Sequence, residues 1–418
     1  MNITVKKSSV YREIQAPPSK SYMHRAVICA SLADGYSVID NPLICEDTMA
    51  TMEACRRLGA EIKEEGSLLV KGTDMTQSPK SVVECRGSGT TLRFLTALSA
   101  YAPGLTVLTG NESLRKRPMG DLLNALRQMD VKAFSRKNGF PPIIIFGNGI
   151  QGGEVIVRGD ISSQFISALL LAASKAVSRT VVTVIDPQSY PYIAITVDVL
   201  ERFGITVDVE GNRFVVMEGQ DFSPKKYTVE GDFSSASFLL AAGALVGRVT
   251  VTGLKPGSLQ GDKKILEVLE RMGAKLREKK NAITVEKRKL RATTIDISDT
   301  PDLAPIYTVL ATQAPGITRI ENAGRLRFKE SDRLSTTAGE LREMGADIRN
   351  KEDELVIRGP TPLKGTIIDP HNDHRVAMAS ALAGLVAEGK TVISNAECIN
   401  KSYPQFFEDL RKIGADVS

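Results

Sequence analysis

Apolar residues recur at the i, i+3, i+4, i+7 spacing of a buried helical face in six segments of the chain. The clearest has Phe165, Ala168, Leu169 and Ala172 at that spacing, directly after a run of small polar residues. Such residues cap helix N-termini, so this helix is predicted to begin near Ser162. The other five segments start at Met23, Phe94, Phe238, Leu303 and Met378. The chain is therefore predicted to contain six buried helices.

A second helix follows each of these, and its end carries a shared signature. In five of the six copies the end is a glycine, the residue that best adopts the left-handed backbone of a helix C-cap. The end positions are Gly59, Asp130, Gly204, Gly273, Gly345 and Gly414, which lie 71, 74, 69, 72 and 69 residues apart. One unit of about 70 residues is thus used six times. In the fourth repeat, the second helix is predicted to span Asp262 to Lys279.

Alternating residues after each second helix predict a β-hairpin. The sixth unit has no room for one before Ser418, so we expect Met1 to Val5 to supply its missing strand. The fold class is α/β, with two domains of three βαβαββ units: residues 1–14 with 230–418, and residues 15–229. The chain crosses between these domains twice, which would form a hinge.

The predicted first helices are rich in alanine and should lie inside each domain. Such symmetry would place three helix N-termini at one end of each domain, and two such ends facing each other would form a cleft. Each exposed helix N-terminus favours an anion by about 0.3–1 kcal/mol. We therefore expect the cleft to bind small molecules that carry several negative charges.

Composition narrows the class of protein. Of the 418 residues, 42% are hydrophobic and 25% charged, as in ordinary globular proteins. No apolar run is long enough to span a bilayer and no signal peptide opens the chain, so we expect a cytoplasmic protein without a membrane partner. The five cysteines have no CxxC spacing and there are only three histidines, which supports neither disulfides nor a metal site.

Several helix openings carry residue types suited to chemistry. Lys20 and Arg25 place two cations at one helix start, an unfavourable arrangement unless an anion lies between them. Gly89 would let a ligand approach the backbone. Taken alone, Asp302 suits a helix cap and Glu330 suits a first helical turn. His374 suits a core or hydrogen-bonding role.

Seven segments together resemble the signature segments of the EPSP synthase (3-phosphoshikimate 1-carboxyvinyltransferase) family. They occur in the family's order and span nearly the whole chain: Pro18-Ser19-Lys20-Ser21 through Arg25, Gly89-Thr90 with Arg93, Arg117-Pro118, Ser162-Ser163-Gln164-Phe165, Lys329-Glu330-Ser331-Asp332-Arg333, Asp373-His374-Arg375, and Lys401-Ser402 with Pro404. The resemblance implies two inside-out α/β barrel-like domains joined by the hinge. It also implies transfer of the enolpyruvyl group of phosphoenolpyruvate to the 5-hydroxyl of shikimate 3-phosphate, by addition and elimination through a tetrahedral intermediate.

The resemblance also implies the site residues, and no metal or organic cofactor. Contacts to shikimate 3-phosphate fall on Lys20, Ser21, Arg25, Ser162, Ser163, Gln164, Ser189, Tyr192, Asp302 and Lys329. Contacts to phosphoenolpyruvate fall on Lys20, Gly89, Arg117, Gln164, Arg333, Arg375 and Lys401. Asp302 is the expected base, and either Glu330 or Lys20 protonates the methylene carbon. These cations, less Asp302 and Glu330, leave a charge of about +5, which matches two substrates that bring roughly −5 to −6.

Two departures from the family pattern concern substrate contacts. Arg325 stands where many members have Asn, and Phe94 stands where many have Pro, beneath Gly89. Neither position carries the reaction itself.

Two other functions are less consistent with the chain. The sister transferase acting on UDP-N-acetylglucosamine uses a reactive Cys in the loop that corresponds to Leu114 to Gly120, and no Cys lies between Cys85 and Cys398. A basic RNA-binding repeat protein should present aromatic platforms, yet aromatic residues form 5% of the chain and Trp is absent. We therefore expect a monomer that binds these two small substrates and no nucleic acid.

Overall fold

A computed structural model describes residues 1–73, 75 and 77–418. The α-helices in these residues are α1 (Lys20–Leu32), α2 (Glu46–Arg57), α3 (Gly89–Leu98), α4 (Glu112–Arg115), α5 (Gly120–Gln128), α6 (Ser163–Ala173), α7 (Tyr190–Arg202), α8 (Phe233–Val246), α9 (Ile265–Arg271), α10 (Ala304–Thr312), α11 (Arg333–Glu343), α12 (His374–Val386) and α13 (Phe406–Lys412). Helix α6 begins directly after Ser162, whose hydroxyl accepts the Gln164 amide at 3.3 Å. The predicted start of this helix is confirmed.

The strands of the described residues pair into six four-stranded sheets. In chain order they are β1 (Ile3–Lys6), β2 (Tyr11–Gln15), β3 (Gly35–Asp40), β4 (Glu61–Glu65), β5 (Ser67–Gly72), β6 (Val83–Glu84), β7 (Gly104–Thr109), β8 (Lys132–Arg136), β9 (Phe140–Gly147), β10 (Gly153–Arg158), β11 (Thr180–Ile185), β12 (Val207–Glu210), β13 (Arg213–Val216), β14 (Lys226–Thr228), β15 (Arg248–Thr252), β16 (Lys275–Lys279), β17 (Ala282–Glu286), β18 (Thr294–Asp296), β19 (Gly316–Glu321), β20 (Asp347–Asn350), β21 (Glu354–Gly359), β22 (Ile367–Ile368), β23 (Lys390–Ile393) and β24 (Asp416–Val417). Every sheet consists of a parallel pair extended by an antiparallel pair.

The sheet orders repeat one topology. They are β14-β3-β5-β4, β6-β7-β9-β8, β10-β11-β13-β12, β16-β17-β15-β2, β18-β19-β21-β20 and β22-β23-β1-β24. In the last sheet β1 pairs with β23 and β24, aligning Ile3 with Ile393 and Val5 with Val417. The N-terminal strand therefore completes the sixth unit, and the sixfold repeat read from the sequence is confirmed.

The chain forms two compact units, Met1–Ser19 with Glu230–Ser418 and Lys20–Val229, each with its own hydrophobic core. We call them the split unit and the continuous unit. The predicted domain boundaries, at residues 14 and 229, stay predictions. So does the hinge between the two domains. Both cores are built around apolar helices. All of α8 is buried, for example, as expected for a helix that is apolar on every side.

One predicted element is wrong. The helix expected from Asp262 to Lys279 ends at Arg271, and Lys275–Lys279 is strand β16. Gly273, with a φ of 91°, adopts the left-handed backbone that ends the helix, and an alternating pattern follows it. No helix among the described residues combines the length and apolar character needed to cross a membrane.

Candidate functional site

In the continuous unit, predicted site residues lie at the starts of three buried helices. Lys20 opens α1, Gly89 opens α3, and Ser163 and Gln164 open α6. The first amide groups of a helix have no partner within it, so these positions present backbone N–H groups and partial positive charge. The fold thus provides three anion-favouring helix ends in this unit.

Gln164 connects the openings of α3 and α6. Its Oε1 accepts a hydrogen bond from Arg93 Nη1 at 2.6 Å, and its Nε2 donates to Thr90 Oγ1 at 2.9 Å. The Arg93 guanidinium also lies over the Phe165 ring, 5.3 Å from its centroid. Arg93 was part of a recognised motif but was not among the predicted contacts. The structure joins it to Gln164, which was.

Gly89 lies against two guanidinium groups. A Cβ placed on it would lie 3.1 Å from Arg117 Nη1 and 3.2 Å from Arg93 Nη1. Both arginines are largely buried, at 7% and 8% exposure. The absence of a side chain at Gly89 therefore leaves room for two forked cations, which suit a carboxylate or a phosphate.

Arg25 is buried and engaged within the continuous unit. Nε donates to Thr196 Oγ1 at 2.7 Å, and Nη2 donates to Ser167 Oγ and to the carbonyl of Tyr192. The guanidinium lies 5.1 Å from the ring centroid of Phe94, the residue that departs from the family pattern. Burial lowers the pKa of Arg25 to about 10, so the group stays charged at neutral pH.

Lys20 and Ser189 lie at the starts of two different helices of the continuous unit, α1 and α7. Lys20 Nζ pairs with Asp47 Oδ2 at 2.8 Å, and Asp47 is almost fully buried. Sequence reasoning gave no role to Asp47, because nothing local indicates a partner 27 positions away.

Ser189 precedes α7 with a left-handed φ of 54°, a conformation uncommon for serine. Such strain is concentrated at functional sites.

In the split unit, Arg333 lies among three carboxylates. Its Nε donates to Asp373 Oδ2 at 2.8 Å, its Nη1 to Asp302 Oδ1 at 2.8 Å, and its Nη2 to Glu330. The side chain is 1% exposed. Burial works to lower the pKa of Arg333, but the three carboxylates outweigh it and hold that pKa above its usual range.

Asp302 is held in turn by three cations. Its oxygens accept from Arg333, from Arg375 Nη2 at 3.0 Å and from Lys329 Nζ at 3.3 Å. Burial works to raise the pKa of Asp302, yet the charges of Arg375, Lys329 and Arg333 hold it well below its usual range. Asp302 caps no helix. It lies inside a 3-10 turn, Pro301–Leu303, and its side chain serves the cations.

Asp373 organises the start of α12. It caps the helix by accepting the Arg375 amide at 3.0 Å, and it also accepts from Ser331 Oγ at 3.3 Å.

Glu330 precedes α11, whose cap is Asp332, so it is not a first-turn residue. Lys401 ends a 3-10 helix and is largely buried. Arg325, the other residue that departs from the family pattern, donates to the carbonyl of Ser298.

Three potential metal ligands lie close together in this unit. One atom each from Glu330, Asp373 and His374 falls within 4.8 Å of the others. Arg333 already donates to both carboxylates, and its positive charge would repel a cation there. The two carboxylates are therefore better described as the ion-pair partners of Arg333 than as metal ligands.

Comparison with known proteins gives consistent matches over the whole chain. The family model described as EPSP synthase (3-phosphoshikimate 1-carboxyvinyltransferase) matches residues 5–410. A 3-phosphoshikimate 1-carboxyvinyltransferase of Methanocaldococcus jannaschii is 45% identical over 412 residues, which cover 97% of this chain and 96% of its own length. One from Halobacterium salinarum is 45% identical over 432 residues, with full coverage of both chains.

Solved structures match at the level of the fold. An EPSP synthase from Acinetobacter baumannii superimposes with a TM-score of 0.85 at 28% identity, covering 100% of this chain and 99% of its own. The enolpyruvyl transferase NikO from Streptomyces tendae also gives a TM-score of 0.85, at 19% identity and with 100% and 98% coverage. At that identity the second match concerns the fold alone.

Proposed function

The chain belongs to the EPSP synthase family. We propose that one set of its site residues binds each of the two substrates of that family's reaction. The protein is a transferase that moves the enolpyruvyl group of phosphoenolpyruvate to the 5-hydroxyl of shikimate 3-phosphate and releases phosphate. This is a step of the shikimate pathway to aromatic amino acids.

The phosphoshikimate contacts are proposed to be Lys20, Ser21, Arg25, Ser162, Ser163, Gln164, Ser189, Tyr192, Asp302 and Lys329. Hydroxyls and cations at the openings of α1 and α6 support this set, because they suit a phosphate and ring hydroxyls. Arg25 is proposed to act through the second N–H of Nη1, since Nε and Nη2 are bonded inside the unit and the other N–H of Nη1 donates to the carbonyl of Ser21 at 2.9 Å.

The phosphoenolpyruvate contacts are proposed to be Lys20, Gly89, Arg117, Gln164, Arg333, Arg375 and Lys401. To these we add Arg93, because it is bonded to Gln164 and lies beside Gly89. Four of these residues are arginines whose planar forks can each hold a carboxylate or phosphate through two hydrogen bonds.

The single observation that carries the catalytic assignment is the position of Asp302 among three cations. An ionised carboxylate is ready to accept a proton, but three cations make it a weak base. Binding of an anionic substrate would draw part of that positive charge to itself and raise the basicity of Asp302. The carboxylate then takes the proton of the 5-hydroxyl as that oxygen bonds to the central carbon of phosphoenolpyruvate.

A second group must protonate the methylene carbon during the addition. Glu330 and Lys20 are both proposed for this step, and their roles stay open. In the elimination the methyl carbon loses a proton, the carbon–oxygen bond to phosphate breaks, and the enol ether forms. No metal or cofactor takes part in this scheme.

Phosphate release tests the assignment. We expect release from phosphoenolpyruvate to require shikimate 3-phosphate and to be unchanged by a chelator. Lys20→Met should lower turnover at least about a hundredfold with the fold intact, because the methionine keeps length without charge. The melting temperature should fall, because the buried Asp47 loses its partner. The matched control is Lys279→Met on the exposed end of β16, which should keep full activity. Release with UDP-N-acetylglucosamine instead would reassign the acceptor, and an active Lys20→Met would remove that residue from the site.

We also propose that the protein is a cytoplasmic monomer. The five cysteines are free thiols, four of them buried, which suits a reducing compartment. Light scattering coupled to size exclusion would test the oligomeric state, for which 45.3 kDa is the expected mass.

A further inference from the structure

A buried carboxylate outside the assigned site is joined to it through one hydroxyl. Asp262 lies in a 3-10 turn, Gly261–Lys264, and is 3% exposed. Its Oδ2 accepts the hydroxyl proton of Ser234, on the first turn of α8. Ser234 Oγ accepts from Arg375 Nη2 at 3.1 Å, and the same Nη2 lies 3.0 Å from Asp302. Asp262 is thus two hydrogen bonds away from the proposed base's partner.

The direction of these bonds gives Asp262 its role. A serine hydroxyl has one proton and two lone pairs, so it can accept from Arg375 only with its lone pairs turned toward that donor. By accepting the proton, Asp262 fixes this orientation. Without it the hydroxyl could rotate toward the guanidinium, where two donors would oppose each other.

A second observation separates Asp262 from an ordinary buried polar residue. Among the described residues, its Oδ1 has no hydrogen-bond partner. A buried unpaired carboxylate oxygen is costly, and native structures contain few of them. Burial and then repulsion from Asp302 raise the pKa of Asp262 to about 7, against Arg375 and Ser234, while Asp232 adds to the repulsion. Stability alone would favour an apolar residue at this position.

We propose that Asp262 is a positioning residue, which holds the Arg375 guanidinium against Asp302 through the hydroxyl of Ser234. The inference rests on the proposed role of Arg375 in binding phosphoenolpyruvate. It assigns Asp262 no contact with substrate.

Kinetics of the full chain test the proposal. Asp262→Leu keeps a branched side chain of four heavy atoms but cannot accept the hydroxyl proton, so the KM for phosphoenolpyruvate should rise about tenfold, as in Ser234→Ala. Asp262→Asn keeps an acceptor oxygen, and its KM should stay within about threefold of the parent. The KM for shikimate 3-phosphate should change little in all three. Ser237→Ala, which removes another buried hydroxyl from α8, is the matched control and should leave both KM values unchanged.

A double-mutant cycle excludes a merely structural role. If the two residues act in one chain, Asp262→Leu should add nothing to the KM of Ser234→Ala, whereas independent effects would multiply to about a hundredfold. Multiplied effects, or an equal rise of both KM values in Asp262→Leu, would overturn the proposal. An unchanged KM in Arg375→Lys would overturn the assignment of Arg375 together with this inference. A raised KM there, with an unchanged one in Asp262→Leu, would overturn this inference alone.

Discussion

The buried carboxyl of Asp262 should make the split unit less stable as the pH rises. Its pKa is about 7 in the folded protein, against 3.8 for the free side chain, with burial as the largest cause. A carboxyl that binds its proton more tightly in the folded protein lowers the free energy of unfolding once the pH is high enough to ionise it. This loss of stability is absent below pH 3.8, grows as the carboxyl ionises in the unfolded chain, and is complete above about pH 7.

The magnitude follows from this difference in proton affinity. Each tenfold step is worth about 1.4 kcal/mol, so the full cost is about 4 kcal/mol, of which about 2–3 kcal/mol appears between pH 5 and pH 8. Asp262→Asn has the same shape and no charge to bury. We therefore expect the variant to gain about 2–3 kcal/mol over the parent between these pH values, or about 5–10 °C in melting temperature for a unit of this size.

Thermal unfolding of parent and variant at pH 5 and pH 8 measures this difference. Glu278→Gln, which neutralises an exposed carboxyl on β16, is the matched control and should follow the parent at both pH values. Parallel loss of stability in the parent and in Asp262→Asn would refute the reasoning, because it would mean that the folded protein accommodates the charge at no cost.

Two further substitutions test the assigned site. Gly89→Ala should raise the KM for phosphoenolpyruvate about tenfold with little change in melting temperature, because the added methyl crowds Arg117 and Arg93; an unchanged KM would place the substrate elsewhere. Asp302→Asn should lower kcat by about a thousandfold while the KM for shikimate 3-phosphate changes less than about threefold, as expected for a base. If steady-state kinetics gave the reverse, Asp302 would be a binding residue.

The architecture was open to prediction because it is repeated. A signal that would be weak in one copy, such as an apolar stripe beginning at Phe165, becomes strong when five other segments show it at intervals of about 70 residues. The N-terminal strand was predictable for the same reason, since five hairpins define what the sixth unit lacks. The error after Asp262 was local: charged residues were read as one exposed helix face, although Gly273 divides them between a helix and a strand.

The ionisation of the site was beyond the reach of the sequence. Motif resemblance identified Asp302 and Arg375, but their state depends on neighbours brought together by folding. Ser234 lies 141 positions from Arg375, and Asp262 lies 28 positions from Ser234. Local spacing carries no information about such bonds. The sequence indicates these bonds only through the repeat, which places the starts of α8 and α12 at equivalent positions of the fourth and sixth 70-residue repeats.

The charges around Arg333 explain why the proposed base can be both ionised and reactive. Lys329, Arg333 and Arg375 carry three positive charges, and Asp302, Glu330 and Asp373 carry three negative ones, so this cluster is close to neutral by itself. Buried ion pairs often contribute little net stability. The cations of this cluster are therefore better understood as groups kept in place to bind substrate anions. A substrate anion that bonds to the cations must displace or neutralise a carboxylate. Asp302 contacts all three cations and is 20% exposed, whereas Asp373 is fully buried and fixed by its helix. Asp302 is therefore the carboxylate whose proton affinity should rise most on binding, as a base for the 5-hydroxyl requires.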